Sequence, residues 1–423
     1  MKRFLYVLAI VIMSQNFVQA FGITDLLKSI NRQPDTKIDN TIYQKFNIEK
    51  KKVISKLYPQ IDAITSFEYH NSPVNLRPMT PTEVNPETDS IPFSKGIFKY
   101  GVEFKVPVFV KEIYTLKQKV EQQQKQFSYK KKLNLIARQA TVVSLNAALK
   151  FVEESINYIN KRLESLHKTK ENISIMVDTG RLPESELYNI DNLIFTLQSQ
   201  KNMLLGKKAE IIDDIYVITG IRLTHSLKME EKGVSLPAEN LKLRIGEKQV
   251  EIAKTDLKMS KEAYYPSVYL SGSYVKNEGK AYNTYDNIER NYGTIMLNVK
   301  IPLFEKTVLT DIESKKVDLI KSKLRLQKIK IETKSDLNKI EVNLKLTNEN
   351  IKRAYKQIQN AKKLLKIAKV AYEARRMTVE EYLRFEVNLL DKQKELYDYI
   401  DAKWKLIAQK ALLNGNKLTE VIK

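Results

Sequence analysis

The chain has 423 residues, 43% of them hydrophobic, which is enough apolar material for a folded core, and its 12 Gly and 12 Pro exclude collagen-like and low-complexity disordered chains. Cysteine is absent, which excludes disulfide frameworks, thiolate metal sites and cysteine nucleophiles. Histidine occurs only three times, which excludes an imidazole-rich cluster. Lys and Arg outnumber Asp and Glu by 72 to 50, giving a net charge of +22.

The first twenty residues have the pattern of a secretory signal peptide. Lys2 and Arg3 form a positive n-region, and residues 4–13 are an apolar stretch too short to span a bilayer as a stop-transfer helix. Residues 18–20, Val-Gln-Ala, fit a small-x-small cleavage site and predict Phe21 as the mature N-terminus. An uncleaved anchor is the alternative. No later segment is apolar throughout over a membrane-spanning length, so we expect any membrane crossing to use strands.

An internal two-fold repeat runs through the sequence. Three pairs of landmarks are each 195 positions apart: Pro107 and Pro302, Gly220 and Gly415, and Glu186 and Glu381. Two Tyr-Pro pairs, at 58–59 and 265–266, are instead 207 positions apart, which predicts a 12-residue insertion in the Pro-rich stretch of the first copy. The predicted repeats are residues 21–220 and 221–423. Each contains a leading segment, a pair of strands, a long helix and a return helix.

Two unusually long helices are predicted, because neither Gly nor Pro occurs from Val108 to Thr179 or from Leu303 to Asn414. Apolar residues repeat at alternating spacings of four and three in the first run, and the second run has the same seam with smaller residues. The seams are Leu145, Leu149, Val152, Ile156, Ile159, Leu163 and Leu166, and Ile340, Leu344, Thr347, Ile351, Ala354, Ile358 and Ala361. Such heptads favour supercoiling with partner helices, here the antiparallel returns at 185–217 and 380–411. A cytosolic coiled coil is the alternative, against which the export signal argues.

Four segments alternate between apolar and polar residues, two cleanly and two less so, in strand pairs at about 60–108 and 267–302. The apolar sets are Phe98, Tyr100, Val102, Phe104 and Val106; Ile295, Leu297, Val299 and Ile301; Ile61, Ala63, Thr65, Phe67 and Tyr69; and Val268, Leu270, Gly272 and Tyr274. Strands of about ten residues cross a bilayer when tilted. An ordinary half-buried antiparallel sheet is the alternative. Four strands leave two unpaired edges in lipid, whereas three copies give twelve strands, so we expect an obligate trimer.

The order of these elements resembles the TolC family of outer-membrane efflux proteins over essentially the whole mature chain. The resemblance rests on four local features: Tyr264-Tyr265-Pro266-Ser267 before a strand, the Pro-containing strand ends at 106–109 and 301–304, the helix end at Thr219-Gly220, and Gly180 followed by Glu186. The resemblance implies a mainly α-helical fold with membrane β-strands. It further implies a homotrimer whose twelve-stranded β-barrel continues into a coiled-coil periplasmic tunnel with a mixed equatorial region.

The family resemblance also implies the function and the partners. The chain would be the passive exit duct of a tripartite efflux pump or a type I secretion system, docking onto a periplasmic adaptor and an inner-membrane pump of RND, ABC or MFS type, with drugs or exported proteins as cargo. Its barrel would contact outer-membrane lipid, with loops at about 71–96 and 277–292 outside the cell. The residues expected to line the barrel lumen are Lys99, Glu103, Lys105, Thr294, Asn298 and Lys300.

By motif position the resemblance also implies a gate at the periplasmic helix turns. It assigns an aromatic-to-acid hydrogen bond to Tyr372 and Glu186, the first acid of a ring to Glu381, and the second position to Arg384, which reverses the charge. The position of a clamp arginine falls on Met377, with Arg375 and Arg376 beside it. The turn glycine is kept as Gly180 in the first copy and is replaced by Arg375 in the second. A plain alternative for Glu186 and Glu381 is that both acids stabilise a helix start.

The remaining features favour a channel without catalysis. The lysines are dispersed along predicted helix faces, so solvated faces explain the net charge better than nucleic-acid binding does. Trp404 is expected to pack between helices. The three histidines are scattered, and neither a phosphate-binding loop nor a Ser-His-Asp set occurs, so no catalytic, metal or cofactor site is expected. The alternative function is an exported structural or adhesive coiled-coil protein, while a cytosolic nucleic-acid-binding coiled coil would require the first twenty residues to be misread.

Overall fold

The computed structural model describes residues 21–75, 85, 89–233, 236–374 and 376–423; the expected signal peptide, part of the Pro-rich insertion and Arg375 lie outside the described residues. The helices are α1 (Ile23–Ser29), α2 (Pro34–Ser55), α3 (Lys111–Asp178), α4 (Ser185–Thr219), α5 (Leu241–Glu262), α6 (Lys306–Glu373), α7 (Val379–Asn414) and α8 (Leu418–Val421). The strands are β1 (Gln60–Tyr69), β2 (Phe93–Phe109), β3 (Ser267–Ala281) and β4 (Asn287–Lys300).

The chain divides into two compact units, described in turn. The first contains residues 21–42 together with Phe127–Ile245 and Gln327–Lys423, whose described residues are helical apart from their connections. The second contains Tyr43–Gln126 and Gly246–Leu326, which include the four strands.

Both long helices form as predicted. α3 and α6 each contain 68 residues, and the heptad seam explains why they are stable, because its side chains are packed against neighbouring helices. Leu149 and Leu166 are fully buried in the first seam, and Ala354 and Ala361 are buried in the second. α3 also contains an 18-residue window with a mean hydropathy of 1.2, long and apolar enough to cross a membrane, but half of that window is buried inside the protein.

The main core of the helical unit brings together five helices. Its buried members include Leu26 and Leu27 of α1, Val142 and Val143 of α3, Ile211 and Ile215 of α4, Trp404 and Ile407 of α7, and Leu418 of α8. Trp404 packs between helices as expected and is 8% exposed. A second cluster near the α3–α4 turn joins Leu163, Leu166 and Ile173 to Ile190, Ile194 and Leu383.

Two glycines end the return helices in the left-handed conformation. Gly220 (φ 71°) follows α4, and Gly415 (φ 72°) follows α7. The last carbonyl of each helix has no partner within the helix and accepts a hydrogen bond from another segment. Gln33 Nε2 donates to Thr219 O at 2.6 Å, and the Glu239 amide donates to Asn414 O at 2.8 Å. The glycines therefore permit both the turn and a close backbone approach.

Replacing Gly415 with Ala is expected to destabilise the helical unit more than replacing Gly180 with Ala. Both residues have positive φ, which costs an alanine about 1 kcal/mol. A Cβ at Gly415 would in addition lie 2.2 Å from Glu239 O, whereas at Gly180 it would meet nothing within 4 Å. We expect about 3 kcal/mol for Gly415→Ala and about 1 kcal/mol for Gly180→Ala. Thermal unfolding followed by circular dichroism measures the difference, and equal losses in Tm would contradict it.

The strands form one antiparallel sheet in the order β1-β2-β3-β4. Its register places all four predicted apolar sets on one side, since Phe104 lies opposite Ile61 and Gly272, and Gly272 lies opposite Ile295. We call this side the apolar face. The other side, the polar face, carries Lys99 and the residues of matching parity. The alternation seen in the sequence is therefore confirmed as two chemically distinct faces.

The strands are longer than expected at their hairpin end. Loops were predicted at about 71–96 and 277–292, but β2 begins at Phe93, and β3 and β4 continue until only residues 282–286 separate them. The sequence misses this extension because the apolar alternation stops there. Cross-strand polar contacts replace it: Lys276 pairs with Glu289 at 2.7 Å, and Tyr100 Oη donates to Glu278 Oε1 at 2.7 Å.

Candidate functional site

The turn between α3 and α4 contains Gly180, the predicted tip glycine. Its φ of 67° allows a Schellman ending, in which the Gly180 amide donates to Val177 O and the Arg181 amide donates to Met176 O, both at 2.8 Å. Glu186 lies in the first turn of α4, where its amide donates to Pro183 O at 3.2 Å. An acid at this position interacts favourably with the helix dipole.

The turn between α6 and α7 makes a corresponding bond. The Arg376 amide donates to Ala371 O at 2.8 Å, and the side chain of Arg376 is exposed. α7 then begins with a capping box: the Glu381 amide donates to Thr378 Oγ1 at 3.2 Å, and the Thr378 amide donates to Glu381 Oε2 at 2.9 Å. Glu381 thus has a structural role at this helix start, the plain alternative considered for it above.

The Thr378 amide and, to a smaller extent, the charge of Arg384 keep Glu381 ionised. The hydrogen bond from the Thr378 amide holds the pKa of Glu381 below its usual value of 4.5, and the nearby Arg384 acts in the same direction. Arg384 itself pairs with Glu380, at 2.8 Å from Nη2 to Oε1, and both side chains are largely exposed. The positive charge at Arg384 is therefore paired with the carboxylate of Glu380, one turn earlier on α7.

Acidification is expected to loosen the start of α7. Because the folded pKa of Glu381 is lowered, its contribution to stability is present above the unfolded pKa and is lost as the pH falls through the folded pKa, that is, below 4.5. The amide protection factors of residues 378–382 in hydrogen exchange should fall between about pH 6 and about pH 3. Glu381→Gln should remove most of this pH dependence and Glu380→Gln should retain it; the same dependence in Glu381→Gln would refute the assignment.

A hydrogen-bonded group of polar side chains links α3, α6 and α7 near these turns. Tyr382 Oη donates to Glu386 Oε1 at 2.8 Å, and Ser165 Oγ donates to the same oxygen at 2.6 Å. Tyr372 stacks on Tyr382 with ring centroids 5.1 Å apart, and it hydrogen-bonds Asn172. We call these five residues the tip network.

The tip network is partly withdrawn from water. Burial raises the pKa of Tyr372, and burial together with the hydrogen bond to Glu386 raises the pKa of Tyr382. Both phenols therefore stay protonated at neutral pH, so that Tyr382 remains a donor to Glu386. The network contains an aromatic-to-acid hydrogen bond, but it joins Tyr382 and Glu386 one turn apart on α7. The bond between Tyr372 and Glu186, which would join α6 to α4, stays a prediction.

Sequence reasoning singled out Tyr372 and missed the other four members of the network. Tyr382 and Glu386 are four residues apart on one helix, a spacing that brings side chains together. That signal was present in the sequence. Ser165 and Asn172 carry no such signal, because their partners lie more than 190 residues away in the chain.

The polar face of the sheet contains the second set of predicted residues. Lys99 pairs with Glu68 at 2.7 Å, the Lys105 ammonium lies 4.8 Å above the ring of Tyr269, and Asn298 Nδ2 donates to Ser271 Oγ at 3.0 Å. Glu103 lies between Asp62 and Ser273 in the register, Thr294 is opposite Ser273, and Lys300 is opposite Ser267. The predicted lumen residues thus share one face, whose charges are of both signs.

The outer strands of this sheet are exposed. β1 and β4 each pair with one neighbour in the described chain. On the apolar face of β4, Ile295 is 77% exposed and Leu297 is 65% exposed, and beyond the strand Leu303 and Phe304 are more exposed still. Apolar area of this extent is unfavourable in water, which indicates that lipid or another protein surface covers it.

Comparisons with known proteins identify the fold. No family model matches the chain, and no curated protein matches it. Among solved structures, the outer membrane protein VceC of Vibrio cholerae is 12% identical with a TM-score of 0.77, covering 93% of this chain and 96% of that one. The CmeC outer membrane channel of Campylobacter jejuni is 15% identical, TM-score 0.76, covering 94% and 85%; the open-state MtrE outer membrane channel of Neisseria gonorrhoeae is 12% identical, TM-score 0.74, covering 94% and 90%. The chain therefore has the fold of the TolC family of outer-membrane channels, as its sequence predicted.

Proposed function

We propose that this protein is one subunit of a homotrimeric outer-membrane channel, the passive exit duct of a tripartite efflux pump or a type I secretion system. The observation that carries the proposal is the four-stranded sheet, which has one apolar face and, among the described residues, one unpaired edge on each outer strand, in a chain with the fold of outer-membrane channels. Residues 1–20 direct its export. The strands cross the outer membrane, and the long helices extend into the periplasm.

Strand pairing explains why three copies are needed. In hydrocarbon an unpaired strand edge costs several kcal/mol for each unsatisfied backbone group. Pairing β1 of one copy with β4 of the next removes every edge once three copies close a twelve-stranded ring. The apolar face then contacts lipid, and the polar face, with Lys99, Glu103 and Lys105, lines the pore.

Helix bounds support the two repeats, 21–220 and 221–423. α3 and α6 begin 195 positions apart and also end 195 positions apart. The same interval separates the Arg181–Met176 bond from the Arg376–Ala371 bond, and Gly220 from Gly415. We infer that the two halves supply equivalent helical hairpins to the wall of the tunnel.

The helix turns form the periplasmic gate of the proposed tunnel. The tip network ties Tyr372 of α6 and Tyr382 of α7 to α3, which supports a closed arrangement. The exposed side chains of these turns provide the surface for a periplasmic adaptor, beyond which an inner-membrane pump supplies energy. Drugs or exported proteins are the proposed cargo.

Arg384→Ala is expected to increase the cation preference of the channel. In a trimer, three copies of Glu380 and Glu381 bring six carboxylates near one axis, and Arg384 partly neutralises them. Reversal potentials under a salt gradient in planar bilayers measure the preference. Lys405→Ala, which removes an exposed Lys paired with Asp401 on the same helix, is the control. A strong cation preference that is the same in both variants and in the parent would contradict a role for Arg384.

Membrane fractionation and planar-bilayer recording test the proposal as a whole. The chain should fractionate with the outer membrane and, after extraction, produce discrete conductance steps. An exported structural or adhesive coiled-coil protein, the alternative function, would produce no such steps. The separation of the sheet into an apolar face and a polar face favours the channel.

A further inference from the structure

An apolar cluster interrupts the polar face at the hairpin end of the sheet, the end away from the strand-to-helix connections. Ile97 and Ala281 are fully buried, Phe93 is 3% exposed and Ile288 is 9% exposed, with Val74 packed against them. Ile97 is two residues from Lys99 on the same strand, and Gly279 lies opposite both Ile97 and Ile288. The cluster therefore belongs to the same side of the sheet as the proposed lumen residues.

Residues 89–92, which we call the mouth segment, are fastened to the turn between β3 and β4. The Ile91 amide donates to Asn283 Oδ1 at 3.0 Å, and Asn283 Nδ2 donates back to Asp89 O at 2.9 Å. The Tyr282 amide donates to Pro92 O at 2.7 Å. One asparagine and one backbone amide thus hold the mouth segment to the neighbouring hairpin.

A further bond joins the mouth segment to the polar face. Arg290 has the parity of Ile288, so it extends from the polar face, and its Nη2 donates to Ser90 O at 3.4 Å. Thr284 Oγ1 also donates to Ser90 Oγ at 3.0 Å. The mouth segment is therefore bonded to a side chain of the face that carries the proposed lumen residues.

Among the residues that the structure describes, such a segment belongs to the first hairpin. The turn between β3 and β4 has five residues, whereas 23 residues separate β1 from β2. The 12-residue insertion inferred from the repeat falls in this longer connection. The mouth segment is therefore a feature of one hairpin in each copy.

We propose that the mouth segment and the apolar cluster beneath it narrow the outer mouth of the channel and restrict large molecules entering from outside. The inference rests on the proposed function, because it requires the polar face to line the pore. Three copies then place three mouth segments around one opening. An apolar constriction at this point holds water less well than the charged wall below it.

Cysteine labelling in intact cells tests the constriction, since the native chain has no Cys. Glu103→Cys places a thiol on the exposed polar face below the mouth, to be labelled from outside with polyethylene-glycol maleimides of increasing length. Asn283→Ala, which releases both bonds to the mouth segment, is compared with Lys280→Ala, an exposed residue of the same hairpin on the opposite face. Tyr285→Cys, 71% exposed in the turn, reports whether the hairpin is outside the cell.

Asn283→Ala is expected to raise several-fold the rate at which the longest maleimides that still react label Glu103→Cys. The rate for the shortest maleimide should not change. Lys280→Ala should have no effect on either rate. If the long maleimides label Glu103→Cys at equal rates in Asn283→Ala and Lys280→Ala while the trimer stays intact, the constriction is overturned and the proposed function is not. If Tyr285→Cys is labelled in lysates but not in intact cells, the outer-membrane orientation is overturned. Both this inference and the proposed function then fail with it.

Discussion

Leu297→Lys is expected to prevent assembly of the trimer in the outer membrane, whereas Met296→Lys is expected to leave it intact. Leu297 lies opposite Leu270 on the apolar face, and Met296 lies opposite Ser271 on the polar face. A Lys facing lipid near the middle of the bilayer costs about 2–4 kcal/mol. A trimer carries three such residues, which amounts to about 6–12 kcal/mol, comparable to the stability of a whole domain.

The two variants form a matched pair, because they place the same charge at adjacent positions of the same edge strand. The amount of trimer in outer-membrane fractions, read by electrophoresis without boiling, measures assembly. Equal loss in both variants would indicate a general effect on the strand. The reverse order, with Met296→Lys the worse, would mean that the faces of the sheet are assigned the wrong way round.

The double change Tyr382→Phe with Glu386→Gln is expected to open the channel. It removes the charge of the carboxylate that accepts a hydrogen bond from Ser165 of α3, together with the Tyr382 bond within α7 that orients this carboxylate. The Ser165–Glu386 bond joins α7 to α3, and a hydrogen bond to a charged group contributes about 1.5–3 kcal/mol. Three subunits share one gate, so the closed state should lose at least about 4 kcal/mol. Because each 1.4 kcal/mol corresponds to a factor of ten, the open probability should rise by more than 100-fold until it saturates.

Single-channel recording of the purified trimer measures this change. Tyr188→Phe is the control, because Tyr188 donates to Glu184 at 3.0 Å with the same chemistry and spacing, on α4, in an exposed position. Its conductance should match that of the parent. An open probability that is unchanged in the double variant would exclude the tip network as the lock of the gate.

Local patterns in the sequence predict much of this fold. The heptads of α3 and α6 and the alternating strands follow from the periods of helix and strand, and both are confirmed by the buried Leu149 and by the two faces of the sheet. Gly220 and Gly415 end their helices with positive φ, where only glycine is unstrained. Each of these predictions depends on residues close together in the chain.

The parts that could not be predicted depend on contacts between distant segments. The extension of β3 and β4 beyond the apolar alternation rests on cross-strand pairs such as Lys276 and Glu289. Ser165 meets Glu386 across 221 positions, and the mouth segment meets Asn283 across more than 190. The gate assignments taken from family positions stay predictions, and the Ser165–Glu386 hydrogen bond that joins α3 to α7 lies on side chains that the family positions did not indicate.

Native mass spectrometry of the chain extracted from the outer membrane tests the central proposal most directly. It should give a single species with three times the mass of the mature chain. A monomer would leave β1 and β4 each with one unpaired edge, and a dimer would supply eight strands instead of twelve; either result would contradict the channel described here.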